Sequence, residues 1–162
     1  MKNLVLIRHA KSSWEYDLSD YQRPLEKRGI TDAHLVSGEF KAKKFHPDKI
    51  FSSHANRALS TCKIFLENLG LSDNLLVISQ ELYDFGGRNV EKFIKSIDNQ
   101  LNNVIIFGHN YAFTNISNSF GSTFIDNLPT CGLVWIQFDI DSWKDVNSGT
   151  TKLIIKPKDL RA

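Results

Sequence analysis

Residues 1–13 read MKNLVLIRHAKSS, a run of aliphatic residues from Leu4 to Ile7 that ends abruptly in Arg8 and His9. A short apolar run bounded by polar residues predicts a strand. Arg8 and His9 then stand at its carboxyl end, where open α/β sheets collect their ligands. The strand is a support, and the two polar side chains are what it supports.

Moving outward, further short apolar runs fall at residues 49–51, 75–78, 104–107, 133–138 and 153–155, beside 3–7 at the start. Stretches of helical period separate most of them. Ile30, Ala33, Val36 and Phe40 share one helical face, as do Ala58, Cys62, Phe65 and Leu69, and Val90, Phe93 or Ile94, Ile97 and Leu101. Thr31 after Gly29 reads as the N-cap of the first helix, Gly70 as the residue just past the second, and Pro47 as the break before the next strand. Strands alternating with helices predict an α/β domain with a mostly parallel sheet covered by helices. The last two runs are joined only by DIDSWKDVNSGTTK (139–152), which predicts a loop and an antiparallel pair.

The totals agree with one domain over residues 1–162, for a chain of this size buries roughly two-thirds of its unfolded surface. A composition 41% hydrophobic and 23% charged is that of a globular protein, and no run approaches the length of a spanning helix. Leu4 to Ile7 is too short for a signal peptide's apolar region, so a cytoplasmic protein is expected. Cys62 and Cys131 have no CxxC partner and read as small core residues. A net charge of +2, with Lys and Arg spread along the chain, disfavours nucleic acid; the local cluster KAKKFHPDK (41–49) reads as the solvated end of a helix and its loop.

Three strand ends share a theme: LIRHAKSS at the first, FSSHANRALST at the second and IIFGHNYAF at the fourth. Arg8, His9, Arg57 and His109 can therefore converge. Guanidinium groups are planar forks that take two oxygens at once, and helix N-termini add N–H groups of the right sign, so the set suits a phosphoryl group. A neutral imidazole is a competent nucleophile toward phosphorus. Singly, each residue has a plainer reading: a half-buried histidine, a surface charge, or a helix cap in the case of His109 and Asn110.

Taken together, RHA, S-x-x-x-R-A-x-x-T and GHN in this order resemble the histidine phosphatase superfamily, also called the phosphoglycerate mutase-like family. LIRHAKSSW (6–14), LSDYQRPLEKRGITDA (18–33), SSHANRALST (52–61), ELYDF (81–85) and IIFGHN (105–110) are most similar to its short bacterial phosphohistidine phosphatases. The resemblance implies a three-layer α/β/α sandwich. It implies that His9 is transiently phosphorylated while Arg8, Arg57 and His109 hold the transferring oxygens, with Arg23, Ser53 and Asn110 also contacting the phosphate or substrate. It implies no cofactor and no metal. The five histidines themselves show no HxH, HxxxH or HExxH spacing.

Two departures stand out. Ala10 occupies a position where the family has Gly, which matters if that backbone needs positive φ. His54 occupies one where many members have Pro, and reads as a loop residue or as a titratable ring near the site. Members that cleave esters use a carboxylic acid, and Glu81 or Asp84 in QELYDFGG is available, with Glu15 and Asp17 weaker. An alkoxide leaving group gains about 10² to 10⁴ in rate from such an acid, whereas an imidazole needs less help. The expectation is a phosphatase acting on a phosphohistidine-bearing protein such as a histidine phosphotransfer domain, with the chain a monomer and no membrane or nucleic-acid partner. Two alternatives stay open: a phosphatase or mutase for small phosphate esters, and a non-catalytic module that binds phosphorylated ligands.

Overall fold

The computed structural model describes every residue from Met1 to Ala162. In chain order it forms β1 (Lys2–Arg8), α1 (Lys27–Lys41), β2 (Lys49–Ser52), α2 (Asn56–Leu69), β3 (Leu76–Ile78), α3 (Arg88–Lys95), β4 (Asn103–Gly108), α4 (Ala112–Phe120), β5 (Leu133–Phe138) and β6 (Thr150–Ile155). The strands make one sheet in the order β3-β2-β4-β1-β5-β6. β4 lies parallel to β1 and β2, and β2 parallel to β3; β5 runs antiparallel to β1 and to β6. The mostly parallel sheet and the antiparallel final pair were legible in the sequence. The reversal of β5 against β1, which makes the sheet mixed, was not.

The Leu4–Ile7 run is unbroken because the strand is covered on both faces, and all four side chains are fully buried. Leu4 and Leu6 join Val104, Ile106 and Val134 under α3 and α4, while Val5 and Ile7 join Ile50, Ile105 and Leu133 under α1 and α2. These are the three layers of an α/β/α sandwich. Each such side chain contributes about 1.5–3 kcal/mol relative to exposure, so the two cores hold the strands at a fixed level against each other.

Several local expectations shift. Glu26, not Thr31, is the N-cap of α1. Gly29 lies inside the first turn, where a Cβ would collide with the Lys11 carbonyl oxygen, so the glycine lets the helix press against the loop after β1. Ile30, counted on the apolar face, is 43% exposed. Gly70 ends α2 as expected, in the left-handed region at φ 67° with the Leu71 N–H donating to the Leu66 carbonyl. α3 stops at Lys95, leaving Ile97 and Leu101 in the turns beyond it. α4 had no clear periodic signal, since Asn115, Ser117, Asn118 and Ser119 interrupt its apolar residues. Trp143, in the loop before β6, is fully buried and donates its indole N–H to the Leu101 carbonyl at 2.7 Å.

Hydrogen bonds at the carboxyl edge lock three strand ends together. His9 N–H donates to the Gly108 carbonyl at 2.9 Å, Ser53 N–H to the Phe107 carbonyl at 3.1 Å, and Cys131 N–H to the His9 carbonyl at 2.9 Å. The residues that follow β1, β2 and β4 are thereby fixed side by side.

Candidate active site

At this edge a cavity of about 490 Å³ opens, lined among others by Arg8, His9, Lys11, Asp20, Arg23 and Arg57. Four cationic side chains and one carboxylate face it, so an anion is the ligand its charge selects. β1 delivers Arg8 and His9, the first turn of α2 delivers Arg57, and the loop between β1 and α1 delivers Asp20 and Arg23.

His9 is 8% exposed, and its Nδ1 lies 2.7 Å from the Ala10 carbonyl oxygen. A carbonyl only accepts, so Nδ1 carries the ring proton and Nε2 keeps its lone pair. Burial pushes the His9 pKa down to about 3; the Ala10 bond opposes this, and the charges of Arg57, Arg8 and Arg23 add to it. The ring is therefore neutral at physiological pH. Ala10 itself has no positive φ, and its N–H donates to Thr61 Oγ1 at 2.9 Å, which is why alanine is tolerated there.

His109 is fully buried, with its ring centroid 5.3 Å from that of His9 and 5.0 Å from that of Phe85. Ser53 Oγ accepts from the Ala55 N–H and lies 2.9 Å from His109 Nε2. The arrangement that satisfies the serine hydroxyl has it donating to Nε2, which leaves the proton on Nδ1, a buried atom with no protein partner. Burial, then the neighbouring His9 and Arg57, push the His109 pKa down to about 2. Ser53 thus orients His109 from behind rather than facing the cavity, where the sequence reading had put it in contact with phosphate.

Arg57 is buried and donates from Nη1 to the Asp20 carbonyl at 2.7 Å and from Nη2 to Asp20 Oδ2 at 2.9 Å. Arg23 donates from Nε to the Ser13 carbonyl, from Nη1 to Asp20 Oδ1 at 3.1 Å and from Nη2 to Ser12 Oγ, while the exposed Trp14 ring lies over its guanidinium at 3.2 Å. Arg8 donates from Nη1 to the Leu128 carbonyl, and its Nε is buried without a partner. Asn110 lines the cavity, but its amide is engaged with Asn127, Leu128 and Thr114 at the start of α4.

Neither expected acid lines the cavity. Asp84 turns to the N-terminus of α3, where its oxygens accept from the N–H groups of Gly86, Gly87, Asn89 and Val90. It is a helix cap. Glu81 is exposed. The carboxylate that does reach the cavity is Asp20, which the sequence reading passed over although its i,i+3 spacing to Arg23 is a visible pairing signal. Burial works to raise the Asp20 pKa, but hydrogen bonds from Tyr83, Arg57 and Arg23 prevail and hold it at about 2. His54 packs between Tyr21 and Tyr83, at centroid distances of 5.8 and 5.0 Å, and does not line the cavity. No three His, Cys, Asp or Glu side chains gather in a way that could hold a metal ion. No helix is long and apolar enough to cross a membrane.

Two buried neutral histidines make stability depend on pH with a definite sign. The unfolded chain protonates both near pH 6.5, while the native pKa values of about 3 and about 2 keep them neutral. Below pH 6.5 the unfolded state binds more protons, so stability falls by about 1.4 kcal/mol per pH unit for each histidine. Asp20 adds to the loss only below its ordinary carboxylate range. Denaturant titrations at pH 7, 6 and 5 are expected to show a steepening decline; equal stability at all three contradicts the assignment.

A layered α/β fold brings a neutral imidazole together with four cationic side chains at its strand ends, an arrangement whose charge suits an anionic ligand. The pattern of the histidine phosphatase superfamily (branch 1) matches residues 4–86, and the chain belongs to that superfamily. An uncharacterised protein of Mycobacterium tuberculosis is 26% identical over 158 residues, covering 91% of this chain and 96% of that one. Among solved structures, the protein histidine phosphatase SixA complexed with tungstate superposes with a TM-score of 0.82 at 20% identity, covering 98% of this chain and 99% of the other. SixA from Agrobacterium tumefaciens gives 0.80 at 21%, covering 96% and 98%. The fold is shared with both.

Proposed function

We propose that this protein is a phosphohistidine phosphatase that removes phosphate from a phosphorylated histidine of a partner protein through a phospho-His9 intermediate. Neutral His9 attacks phosphorus through Nε2; the P–N bond to the substrate imidazole breaks and a P–N bond to His9 forms. Arg8, Arg57 and the Nδ1–H of His109 stabilise charge on the equatorial oxygens, and Arg23 adds to the field. Water then attacks phospho-His9, releasing inorganic phosphate and returning the imidazole. Each of these residues supplies positioning or charge, and no step needs a metal.

The observation that carries the substrate class is the state of the carboxylates. Asp20, the one that lines the cavity, is held ionised by Tyr83, Arg57 and Arg23, and Asp84 is consumed as a helix cap. An alkoxide leaving group lacks a proton donor here, whereas an imidazole departs with its own conjugate acid titrating near neutrality. SixA, described as a protein histidine phosphatase, supports the same reading by its fold.

Phosphate release from a histidine-phosphorylated phosphotransfer domain, measured beside sugar phosphates and phosphoserine and phosphotyrosine peptides, is expected to be fast for phosphohistidine alone. Glu81→Gln is expected to leave that rate within about twofold. Asp84→Ala is expected to lower stability by about 1 kcal/mol through the α3 cap with turnover retained. A loss near 10³-fold from either replaces this reading with an ester phosphatase.

A further inference from the structure

We infer that Asp20 is a built-in competitor for the oxyanion clamp, a latch whose carboxylate holds the donors of Arg57 and Arg23 that an incoming phosphoryl group must take. This rests on the assignment of Arg57 to the clamp made above.

The geometry is that of an internal anion. Arg57 commits both terminal nitrogens to one residue, to the Asp20 carbonyl at 2.7 Å and to Oδ2 at 2.9 Å, and Arg23 reaches Oδ1 at 3.1 Å. Tyr83 donates its hydroxyl to Oδ2. Two carboxylate oxygens thus span two guanidiniums in the way two phosphoryl oxygens would. The arginines are the fixed partners: both are buried, and Arg23 is anchored to Ser12 and Ser13 through its other nitrogens. Asp20 is the movable one. It opens a three-residue 3-10 turn, Asp20–Gln22, and every residue from 14 to 22 is exposed, so few buried contacts resist its displacement.

The charge balance explains what such a latch does. Arg8, Arg23, Arg57 and Lys11 without Asp20 would hold a phosphate dianion tightly in ground state and product alike, and binding both equally does not speed the chemical step. With Asp20 ionised, an anion enters only by outbidding a carboxylate, and inorganic phosphate is displaced as Asp20 returns to Arg57. The latch weakens product binding and disfavours anions of low charge.

Calorimetric titration of inorganic phosphate into the wild-type protein, Asp20→Asn and Arg57→Ala separates the two assignments. Asp20→Asn keeps the shape, removes the charge and is expected to bind phosphate about fivefold more tightly, the scale of a charged pair partly open to water. If Asp20 only braced Arg57, the same variant would bind phosphate more weakly; equal or weaker binding overturns the latch. Asp20→Ser, with a small acceptor in the same place, is read by the same rule should the asparagine variant not fold. Arg57→Ala is expected to weaken phosphate binding by more than about tenfold. Phosphate held by Arg57→Ala as tightly as by wild type removes the clamp assignment, and the latch with it. An unchanged Asp20→Asn beside a weakened Arg57→Ala removes the latch alone.

Discussion

His9→Ala is expected to lower phosphate release by at least about 10⁴-fold while leaving phosphate binding in place, because it removes the nucleophile and none of the guanidiniums. The His9 side chain is the cavity's only unprotonated nitrogen with a free lone pair: Nδ1 is spent on the Ala10 carbonyl, which turns Nε2 into the reacting atom. Arginine and lysine at the same surface are cations and cannot replace it. The substitution also removes one of the two buried neutral imidazoles, so the acid-side decline in stability should become shallower. If wild type and His9→Ala bind a phosphorylated ligand equally and neither releases phosphate, the chain is a binding module.

Arg57→Ala should have the next largest effect, a fall of about 10² to 10³ in kcat/KM, the range for losing a preorganised donor at a developing oxyanion. The same change leaves Asp20 with Arg23 and Tyr83 alone as partners, so its less compensated carboxylate also repels the substrate. Arg57→Lys restores the charge without the planar fork and should recover only part of the loss. Single-turnover rates at saturating phosphohistidine substrate isolate the oxyanion donor's part in the chemical step from the loss of binding, to which both the missing guanidinium and the less compensated Asp20 contribute. Full activity in Arg57→Ala contradicts the clamp.

The parts of the molecule that could be read from sequence are those set by neighbours close in the chain. Leu4 to Ile7 gave β1, and the helices over its Val5 and Ile7 face were visible in the spacing of Val36, Phe40, Cys62 and Phe65. His9 could be placed at a strand end because the strand itself was plain. Contacts between distant residues decided the rest. Ser53 reads like a phosphate ligand, yet it serves His109, 56 residues away. Asp84 reads like an acid but is drawn to the four N–H groups of a helix start that no periodic pattern located within a residue or two. Asp20 looked like one more polar loop residue because its main partner, Arg57, lies 37 positions on. Trp143 gave no signal, since the carbonyl that accepts its indole N–H belongs to Leu101.

The central claim is that a phosphoryl group passes from a protein histidine to His9 and then to water, and rapid-quench labelling follows that path directly. A phosphotransfer domain carrying labelled phosphohistidine is mixed with excess protein and quenched in alkali, where N-phosphate survives. The label is expected to appear on His9 before it appears as inorganic phosphate, and the His9→Ala variant should show neither. Label that reaches phosphate with no labelled protein on the way, or that stays on the domain while a phosphate ester is hydrolysed, would contradict the account.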